Sequence, residues 1–447
     1  MDRSQPPEPL PREAARHQVV AGDIPPEPPG FQPRTALLAE LDRAGALVPV
    51  VHLLTGRPGA GKTTLAAAYA RAKLAAGWRL VAWVSAEDTL SLLAGLARTA
   101  DLAGLTEGGS GRDISDPGQL VRRRLEADGD RCLLVFDDAR DPGLLEPFVP
   151  ACGAARVLIT APAPSPAIRG TSVPVGVFSP AEASAFLTAR TGRVDPEGAS
   201  ALAAELGHEP LALAQAAAVI FRRSLGYRAY LEYLRAAPAG ESLSREAGQP
   251  SWPGLVQAVL LSLGYAEATD QTGVCTIVIE ILAVLSAAGV RRGLLHAAGQ
   301  AGALAAEGHR VAPVLVDEVL AGLAELALVT VSGDGQMIVM HRSVMLVVRA
   351  EMARRQRLTA VCRLAASLLE AWAQALGVFP DRQATGDLRA QVSALADNAA
   401  GPAGEDEEVA GALLRLLTTA YWEVGRDIQE TPPAPAVSGS GRWRFPG

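Results

Sequence analysis

Nine consecutive residues, Gly56-Arg57-Pro58-Gly59-Ala60-Gly61-Lys62-Thr63-Thr64, lie between an apolar run and a long alanine-rich stretch. They match the spacing G-x-x-x-x-G-K-[ST], which restricts the local fold to a strand, a tight loop and a helix. Glycines at these positions let backbone N–H groups wrap an anion, and the positive end of the following helix points at the same place. The chain holds only two lysines, Lys62 and Lys73, and its other basic residues are all arginine. A compact ammonium kept at Lys62 suits the outer phosphates of a nucleotide, and the Thr63 hydroxyl is placed to ligate Mg²⁺. ATP or ADP with Mg²⁺ is the cofactor this stretch implies.

A chain of 447 residues with 49% hydrophobic and 20% charged residues can bury several cores, so two to four domains are expected. The net charge of −7 gives no overall pull toward nucleic acid or an anionic membrane. Cys132, Cys152, Cys275 and Cys362 are scattered, without a C-x-x-C pair, and read as small buried hydrophobes in a reducing, cytoplasmic setting. The first 30 residues are rich in Pro and Glu and carry no signal-like apolar run. The most apolar segment, 276–290, is short and contains Glu280, which fits a buried helix rather than a membrane span.

After the phosphate loop, apolar strand-like runs alternate with helical patterns, the signature of a parallel sheet. Residues 131–136 form a continuous apolar run that ends in Asp137-Asp138. Carboxylates at the C-terminal end of a parallel strand stand where ligands bind in such sheets. Asp137 is the candidate for holding Mg²⁺, together with Thr63. Asp138 is the candidate for orienting or deprotonating attacking water, and Lys62 completes the catalytic set. Thr160 ends the next strand and either reads the terminal phosphate or caps its strand. From Pro180 the pattern is helical, and Gly207-His208-Glu209-Pro210 separates two helices, with glycine stopping one and proline starting the next.

In this order, GRPGAGKTT, VFDD, VLIT and GHEPLAL resemble the motifs of the NB-ARC group of STAND ATPases, over roughly residues 31–350. The resemblance implies an α/β P-loop nucleotide-binding domain, with a parallel sheet and helices on both faces. Helical lid, winged-helix and helical C-terminal domains are expected to follow it. Expected boundaries are a disordered arm at 1–30, the α/β domain at 31–178, the lid at 179–236 and a linker at 237–252. A winged helix at 253–350, C-terminal helices at 351–428 and a disordered tail at 429–447 complete the chain. By resemblance, Pro210 of the lid and His341 of Met340-His341-Arg342 contact the nucleotide, His341 at the β-phosphate of ADP.

Two departures from that family stand out. Its usual arginine after the fourth strand is replaced by Ala161-Pro162, which leaves Arg169 as a substitute or γ-phosphate sensing weak. No 34-residue self-similarity marks a C-terminal repeat array. The resulting expectation is a slow ATPase that switches between a closed ADP form and an open, self-associating ATP form, with a protein partner at the C-terminal helices. The alternatives are DNA binding through Arg342, Arg349, Arg354, Arg355 and Arg357, and a nucleotide-binding scaffold without hydrolysis. The acidic balance disfavours nucleic acid, and no membrane association is expected.

Overall fold

The structure, a computed structural model, describes residues 18–43, 50–105, 116–236, 253–305, 308–376, 382–399, 403–421, 436–437 and 443–444. Residues 1–17 of the expected arm, the linker at 237–252 and most of the expected tail lie outside the described residues.

Six parallel strands form the principal sheet: β1 (Val19–Ala21), β2 (Val50–Thr55), β3 (Leu80–Ser85), β4 (Cys132–Asp137), β5 (Arg156–Ala161) and β6 (Thr171–Pro174). Their order is β1-β3-β4-β5-β2-β6. β2 to β5 are nearly continuous buried runs, as a parallel sheet covered on both faces requires. Successive side chains serve opposite layers. Leu53, Val84, Phe136 and Ile159 pack with α3 (Thr89–Leu102) and α4 (Pro117–Asp128). Leu54, Trp83, Val135 and Leu158 pack with α1 (Thr35–Asp42) and α2 (Lys62–Ala75).

Lys73 on α2 pairs with Asp42 at 2.5 Å, and its ammonium sits 4.5 Å from the Tyr69 ring and 5.2 Å from the Trp78 ring. The second lysine therefore fills an aromatic cage that fastens α2 to the end of α1.

β1 corrects the expectation of a disordered arm to residue 30. Val19 to Ala21 pair with Leu80 to Ala82, too few residues to show a period in the sequence. Gly22 turns the chain away with φ 79°, and a Cβ there would lie 1.9 Å from the Trp83 carbonyl oxygen.

The rest of the described residues is mainly helical, apart from a small three-stranded antiparallel sheet and a two-stranded ladder in which Ala436 and Val437 pair with Arg444 and Trp443, within the tail expected to be disordered. α5 (Pro180–Thr191) opens with a capping box between Ser179 and Glu182, followed by α6 (Pro196–Glu205) and α7 (Pro210–Arg222). α8 (Tyr227–Ala236) buries Tyr227, Tyr230, Leu231 and Leu234 at helical spacing, a stripe the sequence reading passed over. α9 (Pro253–Thr269) packs on α7.

The winged helix is built from α10 (Val274–Val284), β7 (Val290–Arg291), α11 (Arg292–Gln300), α12 (Pro313–Glu325), β8 (Thr330–Val331), β9 (Met337–Val339) and α13 (Arg342–Arg354). Its sheet runs β7-β9-β8, one two-residue strand more than the expected hairpin. Glu280, inside the most apolar helix, is neutralised by Arg357 at 2.6 Å.

α14 (Leu358–Leu376), α15 (Arg382–Asn398) and α16 (Glu407–Tyr421) follow, and one apolar core runs from Phe178 to Leu416 through lid, winged helix and C-terminal helices. α15 touches both halves of the molecule. Gln391 accepts from the Ser286 N–H at 3.0 Å and donates to the Gly289 carbonyl at 2.8 Å. On its other side α15 packs against α3, where a Cβ on Gly386 would meet the Ala94 Cβ at 3.6 Å.

Candidate functional site

The phosphate loop leaves β2 at the C-terminal edge of the sheet. Gly56, Gly59 and Gly61 adopt φ of 150°, 82° and 91°. Gly56 lies so close to the β6 end that a Cβ would be 2.3 Å from the Val175 carbonyl oxygen. Lys62 Nζ donates to the carbonyls of Gly56 at 2.8 Å and Arg57 at 3.0 Å, so the loop closes around the ammonium. Burial pushes the Lys62 pKa down, opposed by Asp138 and Asp137. Gly61 caps α2 without a side chain, so the first-turn N–H groups face the loop unmasked. Pro58, Ala60 and Thr64 complete the stretch.

The strand order places β5 between the loop strand and β4, and this decides the role of Thr160. Its hydroxyl donates to Asp137 Oδ1 at 2.6 Å and accepts from the Asp138 N–H at 2.8 Å, at 1% exposure. Thr160 therefore props both carboxylate residues from behind, which favours the supporting role over the phosphate-reading one of the two expected for it. Thr63 Oγ1 donates to the same Asp137 oxygen at 2.8 Å. A hydroxyl and a carboxylate this close fit a magnesium ion, which takes one or two protein oxygens and draws its other ligands from phosphate and water. Burial raises the Asp137 pKa, opposed by the bonds from Thr160 and Thr63. Asp138 follows in the left-handed region at φ 58°, which an aspartate tolerates. Burial pushes its carboxyl up to about 6, against the pull of Arg342.

The winged helix reaches this edge through the start of α13. His341 caps the helix by accepting the Ser343 N–H on Nδ1 at 3.1 Å. A neutral ring then carries its proton on Nε2, which is left as a donor. The residue itself is exposed to solvent at this edge. The protein packed around it, then the Lys62 and Arg342 charges, hold its pKa below the ordinary histidine value.

Arg342 Nη2 donates to Glu87 Oε1 at 2.8 Å, and Nη1 lies 3.3 Å from Asp138 Oδ2. Arg140 donates to the same Glu87 oxygen at 2.9 Å. Glu87 and Arg140 were missed from sequence. Glu87 directly precedes Asp88, the cap of α3, and its side chain is only 6% exposed. A carboxylate two residues beyond a buried strand, level with Asp137 through the Ser85–Asp137 pairing, was the available signal.

The lid rests directly on the loop. Pro210 opens α7, the Leu211 N–H donates to the Gly59 carbonyl at 3.3 Å, and Glu209 pairs with Arg57 at 3.3 Å. A cavity of about 300 Å³ opens between Thr55 to Arg57, Pro162 to Pro164, Pro174 to Val177 and Glu209. Arg34, stacked 5.0 Å from the Phe178 ring centre, donates to the carbonyls of Gly176 at 2.6 Å and Ala60 at 3.2 Å, strapping α1 to this rim.

Arg169 is not brought to the site. It precedes β6, whose Thr171 pairs with His52 and whose Pro174 pairs with Thr55. At ~3.3 Å per residue, Arg169 stands more than about 10 Å below the loop, at the opposite edge of the sheet. It does not substitute for a cation after β5.

Cys152 is exposed, whereas Cys132, Cys275 and Cys362 are buried as expected; all four are free thiols. Among the described residues, no helix is long and apolar enough to cross a membrane.

No protein-family model matches the sequence, and no curated protein matches it. Among solved structures, the chain is similar to a signal transduction ATPase with numerous domains (STAND) from Pyrococcus horikoshii, which carries a tetratricopeptide repeat sensor. The TM-score is 0.55 at 14% identity, covering 94% of this chain and 54% of that one. The chain thus spans about half the length of that protein. It is also similar to a Walker-type ATPase of Pyrococcus abyssi, with TM-score 0.34, 15% identity and 71% and 96% coverage. The Aeropyrum pernix ORC1 protein, solved in complex with DNA, gives TM-score 0.33, 18% identity and 73% and 94% coverage. At these identities the likeness to the STAND protein concerns the fold, an α/β P-loop domain followed by helical domains.

Proposed function

We propose that this chain is an ATP- and ADP-binding molecular switch of the STAND type, with slow hydrolysis and nucleotide-dependent self-association. The observation that carries this reading is the meeting of the winged helix with the loop-bearing domain: Arg342 and Glu87 share a hydrogen bond across 255 sequence positions. A distant domain that contacts the phosphate-binding edge directly can respond to what that edge holds.

Gly56 to Thr64 would hold the phosphates, and Thr63 with Asp137 would hold Mg²⁺, which neutralises phosphate charge when bound. His341 offers Nε2–H as a neutral donor to the same cleft, Pro210 borders it from the lid, and Asp138 is the base for water. The motifs that resemble the NB-ARC group belong to this reading.

The DNA-binding alternative is weakened by the arginines it needs. Arg349 donates to the Ala283 carbonyl, Arg354 and Arg355 pair with Glu351, and Arg357 pairs with Glu280. The run that would meet DNA phosphates is already engaged within the chain. Non-hydrolysing binding has one observation in its favour, the ion pair that Arg342 makes with the proposed base Asp138.

Mass in solution measured with Mg-ADP and with a non-hydrolysable Mg-ATP analogue tests the switch. A compact monomer with ADP and larger species with the analogue are expected. Identical mass and shape with both would overturn the reading.

A further inference from the structure

We propose that Arg342 is the residue by which this chain distinguishes a nucleoside triphosphate from a diphosphate, contacting the terminal phosphate from the winged-helix domain. The inference rests on the nucleotide-binding reading given above and concerns one residue of that site.

The argument begins with the cations around Asp138. β5 ends in Ala161-Pro162, without a basic side chain, and Arg169 lies at the opposite edge of the sheet. Three cations act on the Asp138 carboxylate: Lys62, Arg342 and Arg140. Lys62 belongs to the loop and serves any phosphate chain. Arg140 is turned outward, half exposed, with its other terminal nitrogen 3.9 Å from Asp397 on α15. Among these three, Arg342 combines an anchored guanidinium nitrogen with a second one held only by an ion pair at 3.3 Å.

That fixation is asymmetric. Nη2 is held at 2.8 Å by Glu87, a carboxylate only 6% exposed, whereas Nη1 faces Asp138 at 3.3 Å as a looser ion pair. One arm of the planar fork anchors the group and the other is presented. The presented arm lies on Asp138, the residue that follows Asp137 at the same sheet edge the phosphate loop leaves. A terminal phosphate brings additional negative charge, and a guanidinium already oriented by Glu87 meets it with little ordering cost. ADP lacks that group and leaves Arg342 with Asp138. The triphosphate therefore gains a contact that the diphosphate cannot make, and differential contact is what shifts a two-state equilibrium.

Titration calorimetry on the full chain, with Mg-ADP and with a non-hydrolysable Mg-ATP analogue, tests this. Arg342→Gln is expected to weaken analogue binding about tenfold or more. ADP affinity is expected to stay within about threefold, which also shows that the variant is folded. Glu87→Gln, which keeps the shape of the anchor and removes its charge, is expected to reduce the same discrimination by a smaller factor. Analogue affinity unchanged in both variants, with ADP binding intact, would overturn the assignment. Tighter analogue binding in Arg342→Gln would also overturn it, because Arg342 would then be a lock on Asp138. Failure of the unaltered chain to bind either nucleotide would instead sink the underlying nucleotide-binding reading.

Discussion

Thr160 Oγ1 lies 2.6 Å from Asp137 Oδ1 and receives the Asp138 N–H at 2.8 Å, so one buried hydroxyl orients both carboxylate residues at the end of β4. Thr160→Val keeps the shape and leaves that N–H without its acceptor. The variant is expected to lose about 1–3 kcal/mol of stability by urea unfolding, because an unsatisfied buried group costs its desolvation. Mg-dependent nucleotide affinity should fall with it. Unchanged stability would mean that the hydroxyl contributes nothing to fixing the pair.

Lys62→Ala separates folding from function. The ammonium is partly desolvated by the loop carbonyls, so removing it should leave the melting temperature without nucleotide unchanged or slightly higher. Nucleotide affinity should fall by more than about tenfold, 1.4 kcal/mol. Affinity retained within about threefold would falsify the phosphate-loop assignment.

The two aspartates should respond differently to amidation. Asp137→Asn is expected to weaken Mg-dependent ATP binding, and Asp138→Asn to spare binding while abolishing hydrolysis. Wild-type turnover in both variants would remove β4 from the active site.

Asp138 also predicts a pH dependence. Its folded pKa is raised from 3.8 to about 6, so its contribution to stability is full below about 4 and is lost as pH rises through 6. Asp138→Asn lacks that loss. Its stability relative to the wild type should therefore improve between pH 4 and pH 7, by on the order of 1 kcal/mol once screening at a 43% exposed side chain is allowed for. Unfolding curves at the two pH values check the sign.

His341 is tested best by His341→Asn, since asparagine keeps the helix cap that alanine would lose. The variant is expected to release ADP faster, by about tenfold, in stopped-flow experiments with a fluorescent ADP. An unchanged release rate would remove His341 from the nucleotide contact.

The loop, the β4 carboxylates and the division into sheet and helices were legible because each depends on neighbours in sequence: glycine spacing, an apolar run, proline and glycine stops. What escaped depends on register between distant strands. Thr160 could be placed at a strand end, but only the β4-β5-β2 order shows that it faces Asp137. Glu87 looked like a helical surface charge until the winged helix supplied Arg342. Arg169 was mistaken for a candidate because sequence distance hides which edge of a parallel sheet a loop occupies. The Val19–Ala21 strand is too short for any periodic signal.

α15 closes a ring of three contacts. The loop-bearing domain holds the winged helix through Glu87 and Arg342, the winged helix holds α15 through Ser286 and Gln391, and α15 returns to α3 beside Gly386. In a ring, cutting one link leaves every body still joined to the other two. Parting the nucleotide edge from the winged helix therefore has to break the Arg342 contact and also detach α15 from α3, because α15 stays fixed to the winged helix by their shared apolar core. Interdomain distance measured by paired fluorophores would show this: Glu87→Gln alone nearly silent, and its combination with Gly386→Trp, which crowds Ala94 of α3, opening the chain by more than the sum of the two.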